Sequence, residues 1–303
     1  MDHAQTSLPE IDPSVAMPTV PLRHWGRMFG AAIVVLLLLS LAFIISGAKG
    51  IQWHEIPIYL FNPAILAGVG VTIQLTILAM VIGTVIGVIL AVMYMSPNPV
   101  LSTVAKGYIW FFRGTPLLVQ IFFWFNIALF IPVVQIGSFS ISTNLLISAY
   151  SAGLLALALH EAANMAEIVR GGILSVDEGQ MEASMALGMV RSQAMRRIIL
   201  PQAIKVILPP TGNQAIGMLK ATAMVSVIGT HDLLTQTQNT YARNFLVIEL
   251  LMVASIWYLA LTTIASIGQH YLELHYQRDT QRQERISLLQ RIGNALIPFK
   301  GAR

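Results

Sequence analysis

The run AILAGVGVTIQLTILAMVIGTVIGVILAVMYM, residues 64–95, contains no charged side chain and decides the class of fold. A helix needs roughly 20 apolar residues to cross a bilayer, so this segment is long enough to span one. Further charge-free runs cover residues 28–48, 114–159 and 250–270. The chain is 55% apolar and only 11% charged, against about 25% charged residues in an average soluble domain. The sequence therefore predicts an all-α polytopic membrane protein.

Breaks between the apolar runs divide the chain into six predicted spans. A Pro-Asn-Pro turn at residues 97–99 follows the second span, and residues 135–138 separate the third from the fourth. A cleaved signal peptide is an alternative for the first run, but the long segment before it favours a retained helix. The predicted spans are 28–47, 64–95, 114–135, 145–170, 205–229 and 245–272.

The distribution of Lys and Arg predicts the orientation. Placing the N-terminus inside puts all but three of the 18 basic residues on inner segments, Lys106 and Arg113 among them. The exceptions are Lys49 and Arg243 on outer loops and Lys220 within a span. Basic residues gather on the cytoplasmic side of membrane proteins. We therefore expect both termini and residues 171–204 to be cytoplasmic. Cationic loops also explain the net charge of +4 without a nucleic-acid partner.

A polar insert, QMEASMALGMVRSQAMRRIILPQA at residues 180–203, separates the fourth span from the fifth. Good helix formers predict a first helix over 181–187. Gly188 suits the left-handed position that ends a helix. A second helix is expected over 191–199, ending at Pro201, where the missing N–H disfavours continuation. Methionines at a spacing of four form an adaptable contact surface for a partner. The alternative is a helix that lies on its own membrane domain.

The insert resembles the EAA loop in permease subunits of ABC importers, whose pattern is Glu-Ala-Ala, three residues, Gly, nine residues and Ile-x-Leu-Pro. A serine stands here for the third alanine of that pattern. In that family the loop forms a coupling helix that docks in a cleft of the cytoplasmic ATP-binding cassette subunit. The resemblance therefore assigns coupling to the ATPase to Glu182, Ala183, Ser184, Gly188, Ile198, Leu200 and Pro201.

The resemblance extends over residues 64–275 and is to permeases for polar amino acids and opines. Three segments carry it: FRGTPLLVQ at 112–120, AEIVRGG at 166–172 and SVDEGQ at 175–180. It implies a type I (MetI-like) ABC importer permease fold, with five core helices and the first span as an addition. Together with the proline-rich composition of the N-terminal segment and the amphipathic pattern of the C-terminal one, it predicts a disordered cytoplasmic arm at 1–27, an extra helix and outer loop at 28–63, a permease domain at 64–275 with its coupling loop at 176–203, and a cytoplasmic amphipathic tail at 276–303.

Partners and location also follow from the resemblance. It implies two cytoplasmic ATP-binding cassette subunits, an extracytoplasmic substrate-binding protein and a second permease, which is either a copy of this chain or a relative. The expected location is the bacterial inner membrane, with lipid around the spans and a polar amino acid as substrate. The chain departs from the family in Asn164-Met165 and in Ala221, which replaces an Asp after Lys220. These departures leave the identity of the solute open.

Ionisable side chains inside spans predict where the substrate passes. Each costs on the order of 3 kcal/mol on insertion scales, so a functional role is the first hypothesis. An amino acid brings one ammonium and one carboxylate, which match a Glu and a Lys. The alternative is an internal ion pair between Lys220 and a Glu of the fourth span. Glu161 and Glu167 lie about 240° apart around a helix, so at most one faces the path. The candidate residues are Glu161, Asn164, Glu167, Asn213, Lys220, Thr222 and Ser226.

Several kinds of chemistry are not expected in this chain. It lacks a Gly-x-x-x-x-Gly-Lys-Ser/Thr phosphate loop, so we expect no cofactor here, with ATP and Mg²⁺ bound by the partner ATPase. The chain has no cysteine, and His160-Glu161 lacks the second histidine of a zinc protease, so no metal site and no catalytic residue are predicted. Two alternatives to the importer remain: a proton-coupled secondary transporter using Glu161 or Glu167, and a membrane-embedded enzyme using His160.

Overall fold

The computed structural model describes residues 25–47, 50–136 and 139–277. Most of the predicted N-terminal arm and of the predicted amphipathic tail lies outside these residues. The chain divides into two units, Met1–Ile51 and Gln52–Arg303.

The described part of the first unit contains one helix, α1 (Trp25–Ser46). Apolar side chains occupy nearly the whole circumference of this helix, which lacks the polar face of a surface helix in a soluble protein. The helical character of the first predicted span is thereby confirmed.

The second unit is a bundle of helices with one short hairpin. Two 3₁₀ turns, 127–129 and 222–228, and one π-helical turn, 195–199, join some of its elements. Its helices and strands are α2 (Glu55–Leu60), α3 (Pro63–Tyr94), α4 (Pro99–Gly114), α5 (Leu117–Phe125), β1 (Val133–Ile136), β2 (Phe139–Ser142), α6 (Thr143–Leu146), α7 (Ala149–Leu174), α8 (Glu178–Ala186), α9 (Arg191–Ala194), α10 (Leu200–Ala221), α11 (Leu233–Asn244) and α12 (Val247–Gln277).

Three described helices are long and apolar enough to cross a membrane: α3, α7 and the part of α12 from Val247 to Leu274. They coincide with the second, fourth and sixth predicted spans, which are confirmed. Asn62 caps α3, because its side-chain oxygen accepts a hydrogen bond from the N–H of Ala64 at 2.9 Å.

The third predicted span, 114–135, is wrong as a single helix. Thr115 adopts an extended conformation, φ −108° and ψ 141°, as the residue before a proline favours. This residue separates α4 from α5, and α5 stops after nine residues at Phe125. The helical segment therefore begins earlier than predicted, at Pro99. Lys106 and Arg113, which the sequence analysis counts on an inner loop, lie on α4, which packs against α3 and α7.

A short hairpin also amends the prediction of a purely helical chain. Strands β1 and β2 pair antiparallel, with Val133 opposite Ser142 and Ile136 opposite Phe139. The backbone N–H of Thr143 donates to the carbonyl of Pro132 at 3.0 Å and closes the base of the hairpin. The segment predicted as a simple break at 135–138 thus includes strand residues.

The fifth span begins earlier than predicted, because Pro201 does not end the preceding helix. In the π-helical turn, the Leu200 N–H donates to the carbonyl of Met195. Pro201 then occupies the first turn of α10, where a missing N–H removes no helical hydrogen bond. Helix α10 and the following 3₁₀ turn continue to Ile228, close to the predicted end at residue 229.

Glycines bring α3 and α7 into close contact. A β-carbon added at Gly83 would lie 2.8 Å from Cβ of Glu161, and one at Gly87 would lie 2.6 Å from Cβ of Met165. Any larger residue would push the helices apart. Two small residues four positions apart are typical of close helix contacts in membrane proteins, and the structure shows such a contact here. The two helices form the centre of the bundle, and α4, α5, α10 and α11 pack around them.

The bundle has two distinct ends. Gly153, near the start of α7, lies against Thr230 in the turn before α11. Gly172, near the end of α7, lies against Ile207 of α10, close to α8 and α9. The polar insert and α11 are therefore at opposite ends.

Candidate functional site

Helix α8 carries the predicted coupling residues and is capped at both ends. The Asp177 carboxylate accepts a hydrogen bond from the N–H of Gly179 at 2.7 Å. At the other end Gly188 has φ +83°. Its N–H donates to the carbonyl of Met185 at 2.9 Å, and the Met189 N–H donates to Ser184 at 3.1 Å. This is a Schellman motif, and it confirms the left-handed turn predicted at Gly188.

The coupling residues divide into exposed and inward-facing groups. Glu182 and Ala183 are exposed, whereas Ser184 is buried and its hydroxyl donates to the carbonyl of Gln180 at 2.6 Å. Ser184 faces the rest of the insert, so the third position needs a small residue, and serine meets this requirement. Leu187 is 85% exposed. The sequence analysis did not single out this residue, although an apolar side chain next to the terminal glycine was a visible signal.

The second half of the motif forms the connection to the membrane bundle. Ile198 and Leu200 are half-buried, and Pro201 is exposed at the start of α10. Ile198 belongs to the π-helical turn, which continues into Leu200 and Pro201 without an interruption of the helical backbone. Helix α8 contacts this turn. Helix α8 is therefore connected to α10 through a short, continuous structure.

Glu161 is a buried carboxylate at the centre of the bundle. Its residue is 2% exposed, and Gly83 of α3 lies against its side chain. One carboxylate oxygen, Oε2, is 3.5 Å from Nε2 of Gln214 on α10, and Asn164 lies nearby. The other oxygen, Oε1, has no hydrogen-bond partner among the described residues. The site can therefore accept a further donor, and Gln214 is a contact that the sequence analysis missed.

Glu167 lies in a different environment from Glu161. Its Oε2 accepts hydrogen bonds from Nε and Nη2 of Arg170, at 3.1 and 2.7 Å. Its Oε1 is 4.0 Å from Nη1 of Arg113 on α4. Two arginines thus neutralise this carboxylate and connect α7 to α4. Unlike Glu167, Glu161 forms no salt bridge with a cation of the described residues.

Lys220 is not paired with either glutamate of α7, which corrects one of the two predicted alternatives. It is exposed, in a groove beside Tyr258 and Thr262 of α12, and no carboxylate lies within 4.0 Å of its ammonium in the described part of the chain. The groove is lined by residues of α10, the following 3₁₀ turn and α12.

The remaining path candidates do not gather around one point. Thr222 is fully buried and its hydroxyl donates to the carbonyl of Leu219 at 2.7 Å, while Ser226 is also buried. Asn213 is exposed, and Asn164 is half-buried. Among the described residues, Asn164 lies beside Glu161, whereas Lys220 and Thr222 both lie beside Tyr258 of α12.

Gln120 joins the interrupted helices α4 and α5 to α7. It is buried, and its Nε2 lies 2.9 Å from the carbonyl of Phe112, 2.8 Å from Oγ1 of Thr115 and 3.3 Å from Nδ1 of His160. These contacts satisfy polar groups that the break before Pro116 leaves free. Gln120 ends the segment FRGTPLLVQ that carries the family resemblance, but the sequence alone does not indicate its role.

A comparison with known protein families shows which family this chain belongs to. Residues 83–278 match the family described as binding-protein-dependent transport system inner membrane component. The chain belongs to this family. The importer interpretation is thereby confirmed, and the secondary transporter is not favoured.

Relatives of this permease are amino-acid and opine transport proteins. The chain is 44% identical to the arginine transport system permease protein ArgU of Corynebacterium glutamicum over 266 residues, which are 86% of this chain and 84% of that protein. It is 38% identical to the octopine transport system permease protein OccM of Rhizobium meliloti over 213 residues, 69% of this chain and 85% of that protein. This chain is therefore an amino-acid ABC transporter permease, and its relatives are transport subunits rather than enzymes.

Solved structures agree with this assignment of the permease. One chain from the crystal structure of an amino acid ABC transporter with histidines is 37% identical, with a TM-score of 0.66, over 74% of this chain and 99% of that chain. A chain of the inward-facing MetNI methionine ABC transporter is 20% identical, with a TM-score of 0.60, over 71% of this chain and 97% of that chain. The second likeness supports the fold alone, and both confirm the predicted type I importer permease fold.

Proposed function

We propose that this permease carries a cationic amino acid across the membrane, and that Glu161 binds the guanidinium or ammonium group of the substrate. The observation that carries the proposal is the Oε1 atom of Glu161, which is buried and has no hydrogen-bond partner among the described residues. An ionised carboxylate buried without a cation is costly, and a cationic substrate offsets this cost by pairing with it. The relative named for arginine transport supports the same class of substrate.

The surroundings of Glu161 favour a cation over a second anion. Gln214 and Asn164 are neutral, and Glu167 is occupied by Arg170 and Arg113. Because the Glu161 side chain lies between α3, α7 and α10, small movements of these helices control access to it. In an alternating-access cycle, the substrate reaches this carboxylate in one state and is released in the other.

ATP drives this movement through α8. Two cytoplasmic ATP-binding cassette subunits bind ATP and Mg²⁺, and the exposed surface around Glu182, Ala183 and Leu187 docks on one of them. A second permease, identical or related to this chain, completes the path, and an extracytoplasmic binding protein delivers the amino acid. Both termini are cytoplasmic in this arrangement, as the distribution of basic residues indicates.

Uptake of labelled arginine by the reconstituted transporter tests the proposal. Glu161→Gln keeps the shape of the side chain and removes its charge. Truncating one partner of a buried charge pair costs about 2 kcal/mol or more, so arginine uptake should fall on the order of tenfold or more. Uptake of neutral glutamine, assembly with the ATPase and basal ATP hydrolysis should stay near the wild-type values.

Glu167→Gln is the matched control on the same helix. It leaves Arg113 and Arg170 without their carboxylate, so it should lower the thermal stability and reduce the uptake of all substrates by the same factor. Equal losses of arginine and glutamine uptake in Glu161→Gln would contradict the role of Glu161 in substrate selection.

A further inference from the structure

We propose that the polar pocket between α2, the start of α3 and α11 is a docking site for an acidic side chain of the substrate-binding protein, with Arg243 as the anchor. The inference rests on the proposed function, because it needs α8 to face the cytoplasm. The family name implies a substrate-binding protein as a partner. The proposal specifies where this protein docks and that an acidic side chain of it pairs with Arg243.

The pocket lies at the end of the bundle opposite α8. Helix α10 and the following 3₁₀ turn extend from the polar insert to Ile228, and α11 comes next in the chain. A 22-residue helix such as α10 is about 33 Å long, which is close to the thickness of a bilayer's hydrocarbon core. If α8 meets the ATPase, α11 therefore faces the outside, where the binding protein arrives.

The shape of α11 suits a surface that faces water on one side. Leu233, Thr235 and Thr237 are buried, whereas Gln236, Asn239, Thr240 and Arg243 follow the helical spacing of three and four residues along the opposite side. This row forms one wall of a cavity of about 510 Å³, and all the other lining residues except Ala64 are polar as well.

The walls of the pocket are held in place by hydrogen bonds between elements. The Asn244 side-chain amide donates to the Tyr59 hydroxyl at 3.0 Å and connects α11 to α2. Trp257 of α12 donates from Nε1 to the carbonyl of Leu60 at 2.8 Å. The buried Asp232 carboxylate caps α11 by accepting from the N–H of Leu234 at 3.1 Å. The pocket is thus preorganised, which reduces the entropy lost on binding.

The pocket offers hydrogen-bond donors and positive charge that the rest of the described chain does not use. The side chains of Gln236, Asn239 and Arg243 make no hydrogen bond or ion pair with other described residues. Asn62 uses its side-chain oxygen to cap α3, so its NH₂ group still has donors to offer. None of the described residues that line the cavity carries a carboxylate. A guanidinium flanked by amide groups is suited to a carboxylate.

The acidic residues at this end of the bundle are already occupied. Glu249 is buried and accepts from the N–H of Gln52 at 2.8 Å, and Glu55 lies 3.2 Å from Nε2 of His54. Asp232 accepts from the hydroxyl groups of Thr230 and Thr235. None of them neutralises Arg243. The positive charge is therefore presented outward, where an acidic side chain projecting from a docked protein can reach it.

The proposal can be tested with the whole transporter in nanodiscs. The substrate-loaded binding protein is added, and its association rate with the transporter is measured at several salt concentrations. Arg243→Gln should lower the association rate roughly three- to tenfold at low salt and flatten its salt dependence, because exposed interfacial charges act mainly on this step. Arg243→Lys should retain most of the association rate and most of its salt dependence. Lys49→Gln is the matched control, since Lys49 is the other basic residue that the sequence places on an outer segment, and it should have little effect.

Measuring assembly with the ATPase subunit distinguishes an error in this inference from an error in the proposed function. Co-purification of the ATPase subunit and basal ATP hydrolysis should be normal in Arg243→Gln. If they are normal but docking and its salt dependence match the wild type, the pocket is not the docking site. Unchanged docking with a raised KM for the amino acid would instead assign the pocket to the free substrate and overturn the proposal. Loss of ATPase co-purification in the unmodified chain would refute the proposed function itself.

Discussion

The guanidinium carbon of Arg170 lies 5.0 Å from the centroid of the Tyr94 ring. The ammonium of Lys106 lies 5.2 Å from the same centroid. Tyr94 ends α3, Lys106 belongs to α4 and Arg170 belongs to α7, so one aromatic ring joins three helices. Arg170 is also only a few residues from Asp177, which caps α8. The contact therefore lies close to the point where the insert leaves α7.

Tyr94→Leu should weaken this connection. Exposed or partly exposed cation–π contacts contribute about 0.5–1 kcal/mol each, so the loss of two should destabilise the bundle by roughly 1–2 kcal/mol. We expect a lower Tm and more ATP hydrolysed per transported substrate. Tyr94→Phe is the matched control and should behave like the wild type. Equal effects of the two variants would assign the contribution to the hydroxyl group instead of the ring.

Gly87→Ala should destabilise the contact between α3 and α7. Its new methyl group would lie 2.6 Å from Cβ of Met165 and 2.9 Å from the carbonyl oxygen of Ala162. Overpacking of this kind costs about 1–3 kcal/mol, which should appear as a lower Tm in detergent. Gly70→Ala is the control on the same helix, because nothing lies within 4 Å of its added β-carbon. A similar Tm for both variants would show that α7 can move aside freely.

Gly188→Val should disturb the coupling helix without disturbing membrane insertion. The backbone at φ +83° is unfavourable for residues with a β-carbon by roughly 1–2 kcal/mol, and more so for a β-branched one. Gly188→Asn is the control, since asparagine adopts the left-handed conformation more readily. We expect Gly188→Val to lose ATPase co-purification and uptake while Gly188→Asn keeps most of both. Normal uptake by Gly188→Val would mean that this turn is not needed for coupling.

Lys220→Met should leave expression and thermal stability unchanged, within about 0.5 kcal/mol, because the side chain is exposed and has no carboxylate partner in the described structure. If Lys220 lines the path, uptake should fall while basal ATP hydrolysis stays normal, and Lys220→Arg should restore it. Poor expression that a second change, Glu161→Gln, corrects would reveal an ion pair between the two residues in another state of the transporter.

Labelling of single cysteines tests the orientation, since the chain contains no cysteine. Asn239→Cys on α11 should react with an impermeant thiol reagent added to intact cells. Ser192→Cys on α9 should react only after permeabilisation. Both side chains are exposed, so lack of access would not come from burial. The reverse pattern would place α8 outside and exclude its contact with the ATPase.

Features that depend on local chemistry could be predicted from the sequence. The spans of α3, α7 and α12 follow from uninterrupted apolar runs, because the length of such a run is enough to indicate a bilayer crossing. The turn at Gly188 follows from the conformational freedom of glycine next to a helix-forming segment. The packing of Gly83 and Gly87 follows from their spacing along one helix face.

Helix ends were predicted wrongly at two prolines, because a proline can either interrupt a helix or start one. Pro116 interrupts a helical segment, whereas Pro201 starts one, because only the second follows a π-helical turn that has already redirected the carbonyl groups. A proline removes an N–H in both cases. Whether a carbonyl is left without its donor depends on the preceding turn.

The sequence by itself determined that this chain is a helical membrane protein, since the length of an apolar run is a property of consecutive residues, and the resemblance of its polar insert to the EAA loop indicated the importer permease type. Only the tertiary structure decided the roles of its charges. Glu161 and Glu167 are six residues apart on one helix, yet Arg113 approaches Glu167 from α4, and Lys220 forms no salt bridge with either glutamate in the described structure. Electrostatic pairing depends on distances between helices, and those distances are set by how the helices pack.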